Sequence, residues 1–237
     1  MNYNSKLEFI EKPSCLTNNI PLLVMLHGYG SDENDLFAFA NELPDEYHII
    51  SLKAPFPMQP YGNAWYAINF DNEKGKWNNI PQAKASVELV VEFIKAVISK
   101  LDINENNITL LGFSQGTILS YAIALNYPSM IKNIVGLSGY LDQEMIYNNC
   151  SKDELKNISC YASHGEQDQV IPLDWAQNSY ETLLSSFTKY LKVISPQYFP
   201  SVKSAITHLW LIILMVLKTI FELVVDSYGI NGCDFVL

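Results

Sequence analysis

Gly112-Phe113-Ser114-Gln115-Gly116 sets one serine between two glycines, where an apolar stretch (Ile108, Leu110, Leu111, Phe113) gives way to a helix-forming one (residues 117–127, stopping before Pro128). A serine at such a strand-to-helix turn sits in strained backbone, with its hydroxyl presented above the sheet. Glycine on either side leaves room for the strand and helix to approach closely. The chemistry this favours is nucleophilic attack by the hydroxyl. That needs a general base, a carboxylate to orient the base, and N–H donors for the oxygen that becomes negative.

His27-Gly28-Tyr29-Gly30-Ser31 follows a continuous apolar run, residues 21–27, and its two glycines let the backbone aim an amide at a bound oxygen. His27 is read as organising this loop, because the base must come from another one. Asp168 lies just past an apolar strand (residues 158–163), where open α/β sheets collect their functional groups. Glu166 is the competing carboxylate, and an exposed turn aspartate is the plainer reading of Asp168. His164, at the strand end itself, reads as structural.

These residues need a frame. Strands are expected at residues 21–27, 47–53, 107–113, 131–137 and 158–163, alternating with helices at 32–42, 81–101 and 117–127. In the second helix Val87, Val90, Val91, Ile94, Val97, Ile98 and Leu101 recur on one face. This alternation implies an α/β domain with a mostly parallel sheet and helices on both faces. The aromatic segment from Tyr61 to Trp77 reads either as a rim for an apolar acyl group or as ordinary loop packing.

The chain is 237 residues long and 49% hydrophobic, which suits one sizeable domain. The expected division is a lead-in at 1–20, the α/β domain at 21–186, and a divergent C-terminal segment at 187–237 that could complete the same domain. The net charge is −10 and arginine is absent, which argues against nucleic-acid binding. Residues 1–12 lack a basic region followed by an apolar run, so no secretory leader is read there. Cys15, Cys150, Cys160 and Cys233 are far apart, suggesting neither a metal site nor a disulfide framework, and the expected setting is cytoplasmic. No cofactor or metal is expected.

With these motifs in order, the chain resembles the phospholipase/carboxylesterase group of α/β-hydrolases, relatives of the acyl-protein thioesterases. The resemblance rests on His27-Gly28-Tyr29-Gly30-Ser31-Asp32, Gly112-Phe113-Ser114-Gln115-Gly116, Leu137-Ser138-Gly139-Tyr140, and His164-Gly165 followed by Asp168 and Pro172. It implies a cofactor-independent serine hydrolase acting on small carboxylic esters or thioesters. Ser114 matches the family nucleophile, Asp168 the triad acid, and Tyr29 and Gln115 the residues whose amides form the oxyanion hole.

The family presents its triad histidine in a Gly-His pair, and this sequence contains none. His208 is the one histidine after Asp168, preceded by Thr207. With a strand at 190–195 and a helix at 209–225, His208 would stand where the base belongs. The alternative is a homologue without a placed base, acting as a binding protein or arising from an altered gene. Residues 209–217 are apolar on every side. A buried final helix and a tail altered relative to the family are both open; a membrane span is not expected, since Lys218 and Glu222 interrupt a run that would need about 20 apolar residues.

Overall fold

The computed structural model describes residues 3–71, 75–148, 150–184 and 189–195. In chain order the elements are β1 (Phe9–Lys12), β2 (Ile20–Leu26), α1 (Asn34–Phe37), β3 (His48–Leu52), the short strands β4 (Phe56–Pro57), β5 (Asn63–Ala64), β6 (Ile68–Asp71) and β7 (Gly75–Asn78), then α2 (Ile80–Ile98), β8 (Ile103–Phe113), α3 (Gln115–Asn126), β9 (Asn133–Leu137), α4 (Lys152–Leu155), β10 (Ser159–Gly165), α5 (Leu173–Leu184) and β11 (Lys189–Ser195).

Seven strands form one sheet in the order β1-β3-β2-β8-β9-β10-β11. All neighbours are parallel except β1, which runs antiparallel to β3. Every residue of β2, β3 and β9 is buried, so these strands are covered on both faces and are mostly apolar, β2 throughout, rather than alternating. The order puts β8 at the centre, between β2 and β9, so the turn after β8 opens at the middle of the sheet's C-terminal edge.

Two helices flanking that turn differ in a way their sequences explain. The Asn79 side chain caps α2 by accepting the Gln82 amide, with Pro81 in the first turn, and α2 buries Val87, Val90, Val91, Ile94 and Val97 while its other face meets solvent. In α3 all twelve residues are buried. Its polar members turn inward onto backbone: the Ser120 hydroxyl donates to the Gly116 carbonyl, and the Asn126 amide to Ala122 and Met145. A helix enclosed this way can run apolar on every side.

Three boundaries differ from the expectation. The lead-in carries β1, the sheet's first strand, paired from Phe9↔Leu52 to Lys12↔Ile49. The helix expected at 32–42 is one turn of α-helix followed by a 3₁₀ turn at Ala40–Glu42, with Asp32 accepting the Asn34 amide in place of a regular start. β8 begins four residues early, at Ile103, because a register shift against β2 accommodates the polar Asn104, Glu105 and Asn106 that hide the strand in the sequence. The strand expected at 190–195 is present as β11, parallel to β10. No described helix is long and apolar enough to cross a membrane.

Candidate active site

The turn after β8 holds Ser114 at φ 51°, ψ −115°, a backbone conformation that a residue with a side chain adopts only when its surroundings impose it. The two glycines impose it. A Cβ on Gly116 would stand 1.9 Å from the Leu26 carbonyl oxygen, and one on Gly112 would stand 2.5 Å from both the Gly116 oxygen and the Thr117 nitrogen. Any larger residue would push α3 off the sheet. Hydrogen bonds complete the bend: the Ser114 amide donates to the Leu137 carbonyl at 2.8 Å, while its own carbonyl accepts the amides of Thr117 (2.9 Å) and Ile118 (3.1 Å). The Thr117 hydroxyl, which the sequence did not single out, lies 2.7 Å from both the Gly112 and Leu137 carbonyls and accepts the Leu137 amide at 2.9 Å.

Ser114 is half-buried, and its hydroxyl makes no hydrogen bond among the described residues. Its Cβ lies 3.5 Å from where a Cβ on Gly28 would sit, so the 27–31 loop passes directly beside it. That loop is pinned from three sides. His27 is fully buried; its Nδ1 bonds the Gly28 carbonyl at 2.7 Å and its Nε2 accepts the Ala54 amide at 3.0 Å, which assigns the proton to Nδ1. Burial lowers its pKa, against a smaller opposing pull from the Gly28 carbonyl. Trp65 Nε1 donates to the His27 carbonyl at 2.9 Å, and the Gly30 amide to Asn63 at 2.9 Å. Both ring nitrogens of His27 are thus engaged, as a loop-organising role requires.

Among the described residues the amides of Tyr29 and Gln115 bond to no other group; Gln115 is the residue after the serine and Tyr29 the residue after Gly28. The Gln115 side chain is buried and serves elsewhere: its Oε1 accepts the Trp65 amide and its Nε2 donates to the Tyr66 carbonyl, each at 2.8 Å. Nothing in the sequence separates this side-chain role from the backbone role expected of the same residue. The aromatic segment has a buried part and an exposed part. Trp65 and Tyr66 are fully buried packing, whereas Tyr61 and Trp77 are 79% and 47% exposed.

Asp168 lies beyond β10, two strands from β8 and therefore roughly 10 Å across the sheet. Its Oδ1 accepts the amides of Val170 (2.8 Å) and Ile171 (3.0 Å), leaving Oδ2 turned away from these bonds. Glu166 is exposed to solvent. His164 is buried at the end of β10, donates from Nε2 to the Ile171 carbonyl at 2.9 Å, and stays 3.8 Å from Asp168 Oδ2, too far for a hydrogen bond. His48, on β3, meets Tyr3 and Glu11, each at 3.1 Å. None of these three imidazoles meets the Ser114 hydroxyl. His208 lies outside the described residues, as does nearly all of the segment at 187–237.

Residues 7–208 match the phospholipase/carboxylesterase family. The chain belongs to that family. Acyl-protein thioesterase 1 of Kluyveromyces lactis is 25% identical over 171 residues, spanning 67% of this chain and 74% of that protein. Acyl-protein thioesterase 1 of Schizosaccharomyces pombe is 28% identical over 178 residues, spanning 71% and 74%. The crystal structure of Zea mays acyl-protein thioesterase 2 matches with a TM-score of 0.68 at 18% identity, covering 91% of this chain and 98% of that one, a likeness of fold. The family's α/β-hydrolase architecture accounts for the mostly parallel sheet with its serine turn at the centre. The match runs to position 208, so it takes in every residue the sequence put forward for chemistry.

Proposed function

We propose that this family member is a serine hydrolase cleaving carboxylic esters or thioesters through an acyl-enzyme. Ser114 Oγ attacks the acyl carbon as its proton passes to the His208 imidazole. The carbonyl oxygen becomes an oxyanion received by the amides of Tyr29 and Gln115. Collapse expels the alcohol or thiol, which takes the proton from the imidazolium, and a water activated by the same base then releases the acid. Asp168, through Oδ2, holds His208 in the tautomer that accepts the serine proton.

The observation that supports this reading best is the serine itself: φ 51°, half-exposed, beside a glycine loop and two amides without partners among the described residues. Such strain persists only where the surroundings over-determine it, and it raises the hydroxyl into reach of a substrate. The competing reading, a fold that has kept its serine and lost its base, is favoured by Thr207 standing where the family places glycine.

A fluorophosphonate probe separates the two. In the active reading Ser114 labels rapidly, Ser114→Ala abolishes labelling and hydrolysis of a p-nitrophenyl ester, and His208→Ala slows both by about 10³-fold or more. Equal labelling rates for the native protein and His208→Ala would retire the triad and leave the silent reading standing.

A further inference from the structure

Between β7, the segment after β9 and the start of α5 lies a groove of about 710 Å³ whose walls include Trp77, Tyr140 and Trp175, with the carboxylates of Asp142 and Glu144 beside them. No lysine lines it among the described residues, and the chain contains no arginine. Tyr140 and Trp175 meet edge to face, with centroids 5.0 Å apart and planes at 68°, which makes a corner of two π faces. Trp77 and Trp175 are 47% and 37% exposed, so their rings are open to a ligand.

The corner is held in place by polar contacts. Asn78 donates to the Tyr140 hydroxyl at 2.8 Å and to Asp142 Oδ2 at 2.7 Å, and the Leu141 amide donates to Ser179 on α5 at 2.7 Å. The chain that supplies Tyr140 to the groove passes the serine turn one residue earlier: a Cβ on Gly139 would lie 3.2 Å from the Ser114 carbonyl oxygen.

We propose that this groove is a subsite for an alkylammonium group carried by the substrate. Aromatic faces attract a cation through the ring quadrupole, and a quaternary ammonium, being weakly hydrated, gives up little to enter. Two carboxylates with no cation beside them among the described residues favour positive charge and repel a carboxylate or phosphate at the same place. A purely apolar chain would use the rings and gain nothing from the acids. The kinetic side of this inference rests on Ser114 acting as proposed; the binding side does not.

Two measurements test it. The first compares kcat/KM for butyrylcholine and for 3,3-dimethylbutyl butyrate, in which carbon replaces the charged nitrogen. A preference for the cation of about three- to thirty-fold is expected, falling toward one in Trp77→Ala and in Trp175→Leu. A ratio near one in the native protein overturns the inference, and a preference for the neutral ester reassigns the groove to apolar chains. The second titrates benzyltrimethylammonium into Ser114→Ala by calorimetry. Saturable binding weakened by Trp77→Ala sustains the subsite even if neither ester is cleaved, in which case only the hydrolase reading falls. Absence of binding sinks the subsite whatever the hydrolytic rate.

Discussion

Around Ser114 the backbone is fixed by contacts that no side chain could relax: two glycines pressed against carbonyl groups, an amide shared with β9, and a threonine hydroxyl bridging β8 and β9. Around Asp168 the loop is held by four bonds, two of them to the aspartate's own Oδ1, one from His164 to the Ile171 carbonyl and one from the Asp168 amide to the Gly165 carbonyl. The serine side is built by steric exclusion, the acid side by a few hydrogen bonds. Substitutions on the serine side should therefore cost fold and activity together. On the acid side, stability and activity should come apart.

The sharpest test of that difference is at Asp168. Asn can still accept the Val170 and Ile171 amides, so Asp168→Asn should keep the loop, change stability by less than about 1 kcal/mol, and reduce ester kcat/KM by roughly 10³- to 10⁴-fold through loss of the charge that orients the base. Asp168→Ala should lose the same activity and also stability, by about 1–2 kcal/mol, because two amides lose their acceptor. If Asn melts the protein as badly as Ala, the loop depends on charge and the contrast between the two sides dissolves.

Gly116→Ala probes the other side. A methyl 1.9 Å from the Leu26 carbonyl meets rigid backbone on both elements, so the cost should be about 3 kcal/mol or more, seen as a lowered denaturant midpoint or loss of soluble protein. Wild-type stability in this variant would mean that α3 can slide on β2 and that the serine's strain is not imposed by close packing.

How much of this could be read beforehand follows the same division. Ser114 with Gly112 and Gly116, and the 27–31 loop, were legible because a steric demand leaves glycine as its signature. The parallel sheet was legible because doubly covered strands are mostly apolar and do not alternate. What escaped depends on partners far apart in sequence. Gln115 joins Trp65 and Tyr66, some fifty residues away, by side-chain bonds that no spacing rule anticipates. Thr117 looks like any residue in the first turn of a helix. The early start of β8 was masked by three polar residues. The aromatic segment was undecidable in the sequence because the same residue types serve as buried packing at Trp65 and as exposed wall at Trp77.

The Gln115 side chain extends the contrast to a smaller effect. Gln115→Met fills similar volume but removes both bonds to residues 65–66, leaving a buried amide and carbonyl unpaired, at about 2–3 kcal/mol. Because the Gln115 amide is itself a proposed oxyanion donor and its backbone is unaltered, hydrolysis should drop by less than tenfold. A loss rivalling Asp168→Asn would show that the Trp65 segment, through its bond to the His27 carbonyl, positions the oxyanion loop directly.

The smallest effect is on pH. His27 is neutral in the fold, with its pKa held below the ordinary value of about 6.5 chiefly by burial, and its two bonds require that neutral form, since Nε2 must accept the Ala54 amide. The unfolded chain binds a proton at this residue near pH 6.5, where the folded chain does not. Stability is then complete above that pH and declines as the pH falls below about 6.5 toward the lower folded value, by up to about 1.4 kcal/mol per pH unit for one imidazole. His48, whose pKa burial also lowers, adds a decline of the same sign. His27→Gln can accept the Ala54 amide without titrating, so denaturation midpoints measured from pH 7.5 to 5.5 should fall less steeply than in the native protein, with the slope from His48 remaining. Parallel curves for the two proteins would mean that His27 takes up a proton in place, and the 27–31 loop would then be far less rigid than its three anchors imply.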